Sequence, residues 1–150
     1  MDRQVGEITA LLKKLGIYEN TLMFFTSDNG AAKRFDGIHN SCGVMQGHKR
    51  SLNEGGIRVP MVVRWPGKIK AGTESNQPWY FPDVMPTLAE IADVSGEVPG
   101  DIDGISVLPT LLGKGNQKSM SICFGSLALG QCGRGNGKGS AREATCISTI

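Results

Sequence analysis

The stretch that most constrains the fold of this chain is Thr21–Gly30, a short apolar run followed at once by a polar turn. Residues 21–26 are apolar or β-branched, which predicts a buried strand of the kind found in parallel sheets. Ser27-Asp28-Asn29-Gly30 then ends the strand, because Asp and Asn are poor strand formers and Gly ends regular pairing. We therefore expect a carboxylate and an amide at the carboxyl end of a strand, where open α/β sheets build their sites.

Asp28 and Asn29 offer two neighbouring oxygen donors, which suit a hard cation such as calcium or magnesium. Asp-Asn-Gly is also an ordinary turn sequence, and most such turns bind nothing. These residues alone are compatible both with a metal site and with an ordinary turn that binds nothing.

The elements around this stretch predict a layered α/β fold. Residues 2–15 predict an amphipathic helix, with Gly16 in the left-handed position that follows a helix end. A second strand is predicted over residues 57–65 and a second helix over residues 83–92. The helix stripe consists of Val5, Ile8, Leu11, Leu12 and Leu15. A helix followed by a buried strand is half of a βαβ unit, so an earlier strand is expected before residue 1.

Residues 30–50 lack periodicity and predict a long loop, a feature that is usually functional or disordered. The loop ends in Gly47-His48-Lys49-Arg50, which places three potential cations in a row. These cations are compatible both with a solvated basic patch and with a site that binds an anion. Glu54-Gly55-Gly56 follows, and paired glycines let the backbone approach another group closely.

Length, charge and cysteine content restrict the classes of fold and function. The chain has 150 residues, enough for one domain with a sizeable core. Its formal net charge of +2 indicates no nucleic-acid or membrane role, and no apolar run approaches the length of a membrane span. The four cysteines show no CxxC spacing, and we interpret them as free thiols.

Several segments, in one order along residues 1–117, resemble the formylglycine-dependent sulfatases. The resemblance is to the arylsulfatase and N-acetylgalactosamine-6-sulfatase branch. It is carried by Thr21–Gly30, Gly47-His-Lys49, Glu54-Gly-Gly-Ile-Arg58-Val-Pro60, Trp65-Pro-Gly-Lys-Ile69, Asp83 with Pro86-Thr-Leu88, and Asp103-Gly-Ile-Ser106. A lone Ser-Asp-Asn-Gly would be a weak signal, whereas the ordered set is specific.

The resemblance implies a fold similar to alkaline phosphatase, a mostly parallel sheet flanked by helices, of which residues 1–117 would form a part. It implies that Asp28 and Asn29 are calcium ligands and that Lys49 contacts the substrate sulfate. The intact parent would hydrolyse sulfate esters on a sulfated sugar or small molecule. A periplasmic or extracellular location is expected for that parent.

The family's nucleophile is a formylglycine made from a cysteine or serine in a Cys/Ser-x-Pro-x-Arg motif. This chain contains no such motif, since Cys42 is followed by Gly-Val-Met and the other cysteines do not fit either. The paired aspartates that complete the family's calcium site also have no counterpart here. We therefore expect the isolated chain to bind calcium poorly and to hydrolyse no sulfate ester.

Residues 118–150 lose the resemblance and show neither a strand nor a helix period. They are rich in Gly and Ser, and we interpret them as a disordered, frame-shifted tail. Codons allowed for residues 118–126, read in a shifted frame, can encode a continuation that looks like sulfatase sequence.

Two other functions are open. The first is a phosphate or phosphonate ester hydrolase on the same fold, which can use Thr or Ser as its nucleophile. The second is a non-catalytic sub-domain that binds sulfated glycans through Lys33, Arg34, Lys49 and Arg50.

Overall fold

The computed structural model describes residues 1–118, 123–125, 132–134 and 147–148 of the chain. The helices are α1 (Asp2–Lys14), α2 (Asp36–His39), α3 (Glu54–Ile57), α4 (Val84–Ile91) and α5 (Leu108–Leu112). The strands are β1 (Met23–Thr26), β2 (Met61–Arg64), β3 (Glu74–Ser75), β4 (Cys123–Gly125), β5 (Cys132–Arg134) and β6 (Ile147–Ser148).

The larger sheet has the strand order β1-β2-β6-β3, and β4 and β5 form a separate antiparallel pair. The α/β class predicted from the sequence is confirmed, because helices accompany a small mixed sheet. The pairing of the first two strands differs from the parallel expectation: β1 and β2 are antiparallel, with Thr26 opposite Met61. The reason is that the intervening loop is hydrogen-bonded to the turn after β1, so β2 starts beside Thr26 and runs back along β1.

The core lies against one face of β2. Met61 and Val63 are 2 % and 1 % exposed, whereas Arg64 points to solvent, as expected for a half-buried strand. The buried core residues are Met61, Val63, Trp79, Val107 and Leu111, and partly buried Leu22, Phe24, Ile69 and Val84 pack against them. The ring of Phe24 stacks on that of Trp79 with 5.9 Å between centroids. This stacking attaches β1 to the segment before α4.

Helix α1 ends as its sequence predicts. Gly16 has φ +71°, its amide donates to Lys13, and the amide of Ile17 donates to Leu12, which is the Schellman pattern. The predicted helix is present, but no residue of α1 is buried in the described structure, and Ile8 on its apolar stripe is 55 % exposed. Strand β1 lies at the edge of the described sheet.

Asp83 fastens the segment before α5 to the start of α4. Its side chain is fully buried, and its two carboxylate oxygens accept hydrogen bonds from the amides of Tyr80 (3.0 Å) and Ile105 (2.8 Å). One turn later, buried Thr87 donates to the carbonyl oxygen of Asp83 and accepts from the amide of Val107 at 3.0 Å. These bonds explain why an acidic residue is tolerated in the interior.

No helix within the described part of the chain is long and apolar enough to cross a membrane. The predicted disordered tail falls mostly on residues outside the described ones. Within it the structure gives only the backbone pairing of β4, β5 and β6, so the interpretation of residues 118–150 stays a prediction.

Candidate active site

The turn after β1 forms where the sequence predicts it. Asp28 is exposed, Asn29 is half-buried and Gly30 is buried. The hydroxyl of Ser27 donates to the carbonyl oxygen of Asn29 at 3.0 Å, which fixes the turn across two residues. The carboxylate and the amide are therefore presented at the carboxyl end of β1, as expected.

Asp28 also lies at the edge of a cavity of about 120 Å³. The cavity is lined by Thr26, Asp28, Ile57, Val59, Trp79, Tyr80 and Phe81. The three aromatic residues are fifty positions further along the chain, and no local pattern relates them to Asp28. The sequence analysis did not predict that these aromatic residues and Asp28 line one cavity. The cavity arises because Trp79 stacks on β1 and β2 pairs with β1 beside Thr26.

Lys49 is anchored to the same turn through its backbone. Its amide donates to the carbonyl oxygen of Ala31 at 2.8 Å, while its side chain is exposed. Gly30, directly before Ala31, donates its amide to the carbonyl oxygen of Gly56 at 2.9 Å. Neighbouring positions of the turn that carries Asp28 are therefore hydrogen-bonded to the loop that carries Lys49 and to α3.

Glycines make this contact possible. A Cβ at Gly30 would overlap the carbonyl oxygen of Gly55, and a Cβ at Gly55 would overlap that of Gly47. At Gly56 an added Cβ would overlap the carbonyl oxygen of Ser51. We call Gly30, Gly55 and Gly56 the glycine contact. The close backbone approach expected from paired glycines is confirmed: Gly55 and Gly56 lie against the loop that carries Lys49, and Gly30 of the turn after β1 lies against Gly55.

Cys42 and His48 pack beneath the loop that carries Lys49. The Cys42 side chain is 4 % exposed, and its sulfur lies 3.6 Å from Nδ1 of His48. The same thiol donates to the carbonyl oxygen of Gly55 at 3.7 Å. Cys42 is thus a free thiol, as predicted, whereas the other three cysteine side chains lie outside the described residues. His39 is exposed and its ring contacts that of Phe35.

Glu54 and Arg58 form an ion pair at α3. The distance between Arg58 Nη1 and Glu54 Oε2 is 3.3 Å, and the side chains are 26 % (Arg58) and 49 % (Glu54) exposed. The pair spans one turn of α3, so both side chains reach its outer surface. An exposed pair of this kind stabilises little and serves to fix the local helix.

The donors present match a calcium ion in type but are few. Asp28 and Asn29 supply a carboxylate and an amide oxygen, whereas calcium takes six to eight oxygen ligands. Among the residues that the structure describes, no group of three or more His, Cys, Asp or Glu side chains could hold a metal. The described residues therefore fit part of a calcium shell.

Comparisons with known proteins identify relatives of this chain. Rat (Rattus norvegicus) steryl-sulfatase is 45 % identical over 123 residues, which cover 75 % of this chain and 20 % of the relative. Mouse (Mus musculus) N-acetylgalactosamine-6-sulfatase is 39 % identical over 130 residues, covering 83 % of this chain and 24 % of the relative. The chain thus spans between a fifth and a quarter of the length of these curated relatives.

A solved structure supports the same relationship. It comes from work on the metabolism of multiple glycosaminoglycans by Bacteroides thetaiotaomicron and superposes with a TM-score of 0.60 at 27 % identity. The superposition covers 80 % of this chain and 23 % of that one. The family description Sulfatase matches residues 1–94, more than half of the chain. On this match the chain belongs to the sulfatase family.

Proposed function

We propose that this chain is the part of a sulfatase that supplies Lys49 as the contact for the substrate sulfate and Asp28 and Asn29 as two calcium ligands. The intact parent hydrolyses a sulfate ester. The observation that carries the proposal is the direct hydrogen bond from the amide of Lys49 to Ala31, two residues beyond Asn29. It couples the proposed cation ligands to the proposed sulfate contact.

Lys49 suits this role by its charge and by its anchored backbone. Cleavage of a sulfate ester builds negative charge on the sulfate and leaving-group oxygens, which a fixed ammonium stabilises. The side chain is exposed, and it forms no ion pair within the described part of the chain. Its charge is therefore available to an anion.

Asp28 and Asn29 would hold one side of a calcium ion, which when bound polarises a sulfate oxygen as a Lewis acid. The hydrogen bond from Ser27 to Asn29 holds the turn in place for this role. Two donors leave most of the calcium shell to ligands from other parts of the parent. The isolated chain consequently binds calcium weakly.

The parent's substrate is proposed to be a sulfated sugar. Relatives of the chain include the steryl-sulfatases, the N-acetylgalactosamine-6-sulfatases and an ulvan-active sulfatase from Formosa agariphila, so the names span a sterol and glycans. The exposed cations Lys33, Arg34, Lys49 and Arg50 favour the more anionic of these substrates.

Replacement of Lys49 by alanine is the direct test. We expect Lys49→Ala to weaken the binding of galactose 6-sulfate about tenfold, the loss typical of one charge-assisted hydrogen bond. Binding is measured by chemical-shift titration of the labelled chain at low ionic strength. Lys68→Ala, which removes the same charge from another exposed turn, is the matched control. Equal affinity for Lys49→Ala and the unmodified chain would remove Lys49 from the site.

Turnover is tested with 4-nitrophenyl sulfate. Because the chain has no Cys/Ser-x-Pro-x-Arg motif, we expect no release of 4-nitrophenol by the purified chain, with or without calcium. Clear turnover that co-purifies with the protein and is lost in Lys49→Ala would contradict the inactivity of the chain.

A non-catalytic role in binding sulfated glycans is the second candidate, favoured by the same four exposed cations. The two functions differ in their dependence on calcium. Retention on a sulfated column that Lys49→Ala abolishes and that calcium leaves unchanged supports binding alone. Tighter retention in calcium that Asp28→Ala abolishes supports the sulfatase site.

A further inference from the structure

The turn that contains Lys49 has a residue, Arg50, in an unusual backbone conformation. The amide of Ser51 donates to the carbonyl oxygen of His48 at 2.8 Å, which closes a four-residue turn, and Arg50 has φ +79°. This φ is the value of the third position of a type II turn, where Gly or Asn is favoured. A long side chain in the left-handed region is strained. The other non-glycine residues of this kind in the described structure are Asn40 and Asp93, which are types that tolerate it.

Packing does not account for Arg50. Its side chain is exposed, and in the part of the chain that the structure describes it forms no ion pair. A glycine at this position would adopt the same backbone without strain and would lose no buried contact. Residues held in sparsely populated backbone regions cluster at binding and catalytic sites, so the strained arginine points to a function of its guanidinium.

Other cations follow the residue to which Lys49 is hydrogen-bonded. The carbonyl oxygen of Ala31 accepts from the amide of Lys49, and the short helical turn Lys33–Phe35 begins two residues after Ala31. The Arg34 guanidinium lies 4.6 Å from the centre of the Phe35 ring. We call Lys33, Arg34, Lys49 and Arg50 the cationic loop surface. It extends the positive charge from Lys49 in both directions along the chain.

We infer that Arg50 binds a second anionic group of the substrate, next to the ester sulfate that Lys49 contacts. The inference rests on the proposed function, since it takes Lys49 as the sulfate contact. A guanidinium presents a planar fork of N–H donors that matches a carboxylate or a sulfate with two parallel hydrogen bonds. The substrate class is therefore an acidic sulfated oligosaccharide. A sterol sulfate, which has a single anionic group, would leave Arg50 without a partner.

The test compares two probes that differ in the second anion. Chondroitin 6-sulfate tetrasaccharide carries uronates beside its sulfates, and galactose 6-sulfate carries one anion. We expect Arg50→Gly to weaken tetrasaccharide binding about tenfold and to change galactose 6-sulfate binding by less than about twofold. We expect Lys49→Ala to weaken both. All titrations use the full chain at one low salt concentration, because such contacts are screened by salt.

Control variants separate a specific contact from general attraction. Lys68→Ala lowers the net charge by the same amount in another exposed turn and is expected to leave tetrasaccharide binding within about twofold. Arg50→Asn keeps a residue that tolerates positive φ and is expected to behave as Arg50→Gly does. Both Arg50 variants should unfold at a temperature equal to or above that of the unmodified chain, because the strain at this turn is relieved.

The outcomes distinguish the two proposals. If Lys49→Ala weakens both probes and Arg50→Gly weakens neither, the second anion contact is overturned and the sulfate contact stands. If Lys49→Ala weakens neither probe, the proposed function fails and the role of Arg50 fails with it. Equal losses in Lys68→Ala and Arg50→Gly would show unspecific attraction and also overturn the inference. With Arg50 supported, loss of tetrasaccharide binding after carboxyl reduction of the uronates identifies a carboxylate, and retained binding identifies a second sulfate.

Discussion

Gly30→Ala is expected to cause a large loss of stability. The new Cβ would overlap the carbonyl oxygen of Gly55, and it would lie 2.9 Å from the Cα of Gly56. Both are backbone atoms, so no side chain can rotate away. The turn must separate from α3, which breaks the hydrogen bond from Gly30 to Gly56 and strains that from Lys49 to Ala31. We expect a loss of about 3 kcal/mol in the free energy of unfolding.

Urea unfolding followed by circular dichroism measures this loss. Gly6→Ala is the matched control, because the same methyl group at Gly6 meets no atom within 4 Å and Gly6 lies inside α1. There alanine should stabilise the helix by up to about 1 kcal/mol, so the two variants should shift the midpoint in opposite directions. An unchanged midpoint for Gly30→Ala would mean that the glycine contact does not hold the two loops together. We also expect Gly30→Ala to weaken the binding of galactose 6-sulfate, since Lys49 loses its anchor.

Asp83→Ala is expected to have the second largest effect. It removes the acceptors of two backbone amides, those of Tyr80 and Ile105, in a fully buried position. Each unsatisfied buried donor costs about 1–3 kcal/mol, so a total loss near 3 kcal/mol is expected. Asp83→Asn keeps one acceptor oxygen and should lose about half as much. Asp101→Asn, at an exposed position of the same segment, should leave the midpoint unchanged.

The pH dependence of these variants tests the ionisation of Asp83. Burial raises the pKa of this carboxyl above 3.8, and the hydrogen bonds from Ile105 and Tyr80 oppose the rise without cancelling it. A carboxyl group whose pKa is higher in the folded than in the unfolded state contributes most to stability at pH values below its unfolded pKa. This contribution is lost as the pH rises through the folded pKa. Asp83→Asn has no such titration. The stability difference between the unmodified chain and Asp83→Asn should therefore widen as the pH falls from neutral towards 3.8.

The opposite pH dependence would contradict this expectation. If the stability difference between the unmodified chain and Asp83→Asn narrows on acidification, the two amide hydrogen bonds outweigh burial and lower the pKa of Asp83. Unfolding midpoints measured between neutral pH and the ordinary pKa of an aspartate decide between the two cases. Asp101→Asn serves again as the control, because it makes the same substitution at an exposed position.

Local sequence patterns predicted the parts of this structure that short-range forces decide. Gly16 ends α1 in the left-handed region, and the polar turn with Asp28 and Asn29 follows β1 as expected. The second strand was predicted over residues 57–65, but residues 54–57 form α3 and the strand is confined to Met61–Arg64. These predictions rest on turn and strand chemistry, which acts over a few neighbouring residues.

The burial of α1 and the pairing of β1 could not be predicted in the same way. An apolar stripe shows which face of a helix can be buried, but burial requires a partner, and Ile8 and Leu11 are exposed in the described structure. Likewise, an apolar run predicts a strand but not its neighbour. The loop bound to the turn after β1 decides that Thr26 faces Met61 in an antiparallel pair.

The sequence by itself determined the family and the residue types of the candidate site, because Asp28, Asn29 and Lys49 lie in ordered motifs that match the sulfatases. Only the tertiary structure decided how those residues are joined. The hydrogen bonds from Gly30 to Gly56 and from Lys49 to Ala31 connect residues that are 26 and 18 positions apart in the sequence. Such contacts depend on where carbonyl oxygens lie in space and on the absence of side chains at the glycine contact. Spacing along the chain contains no information on those positions until the strands have paired.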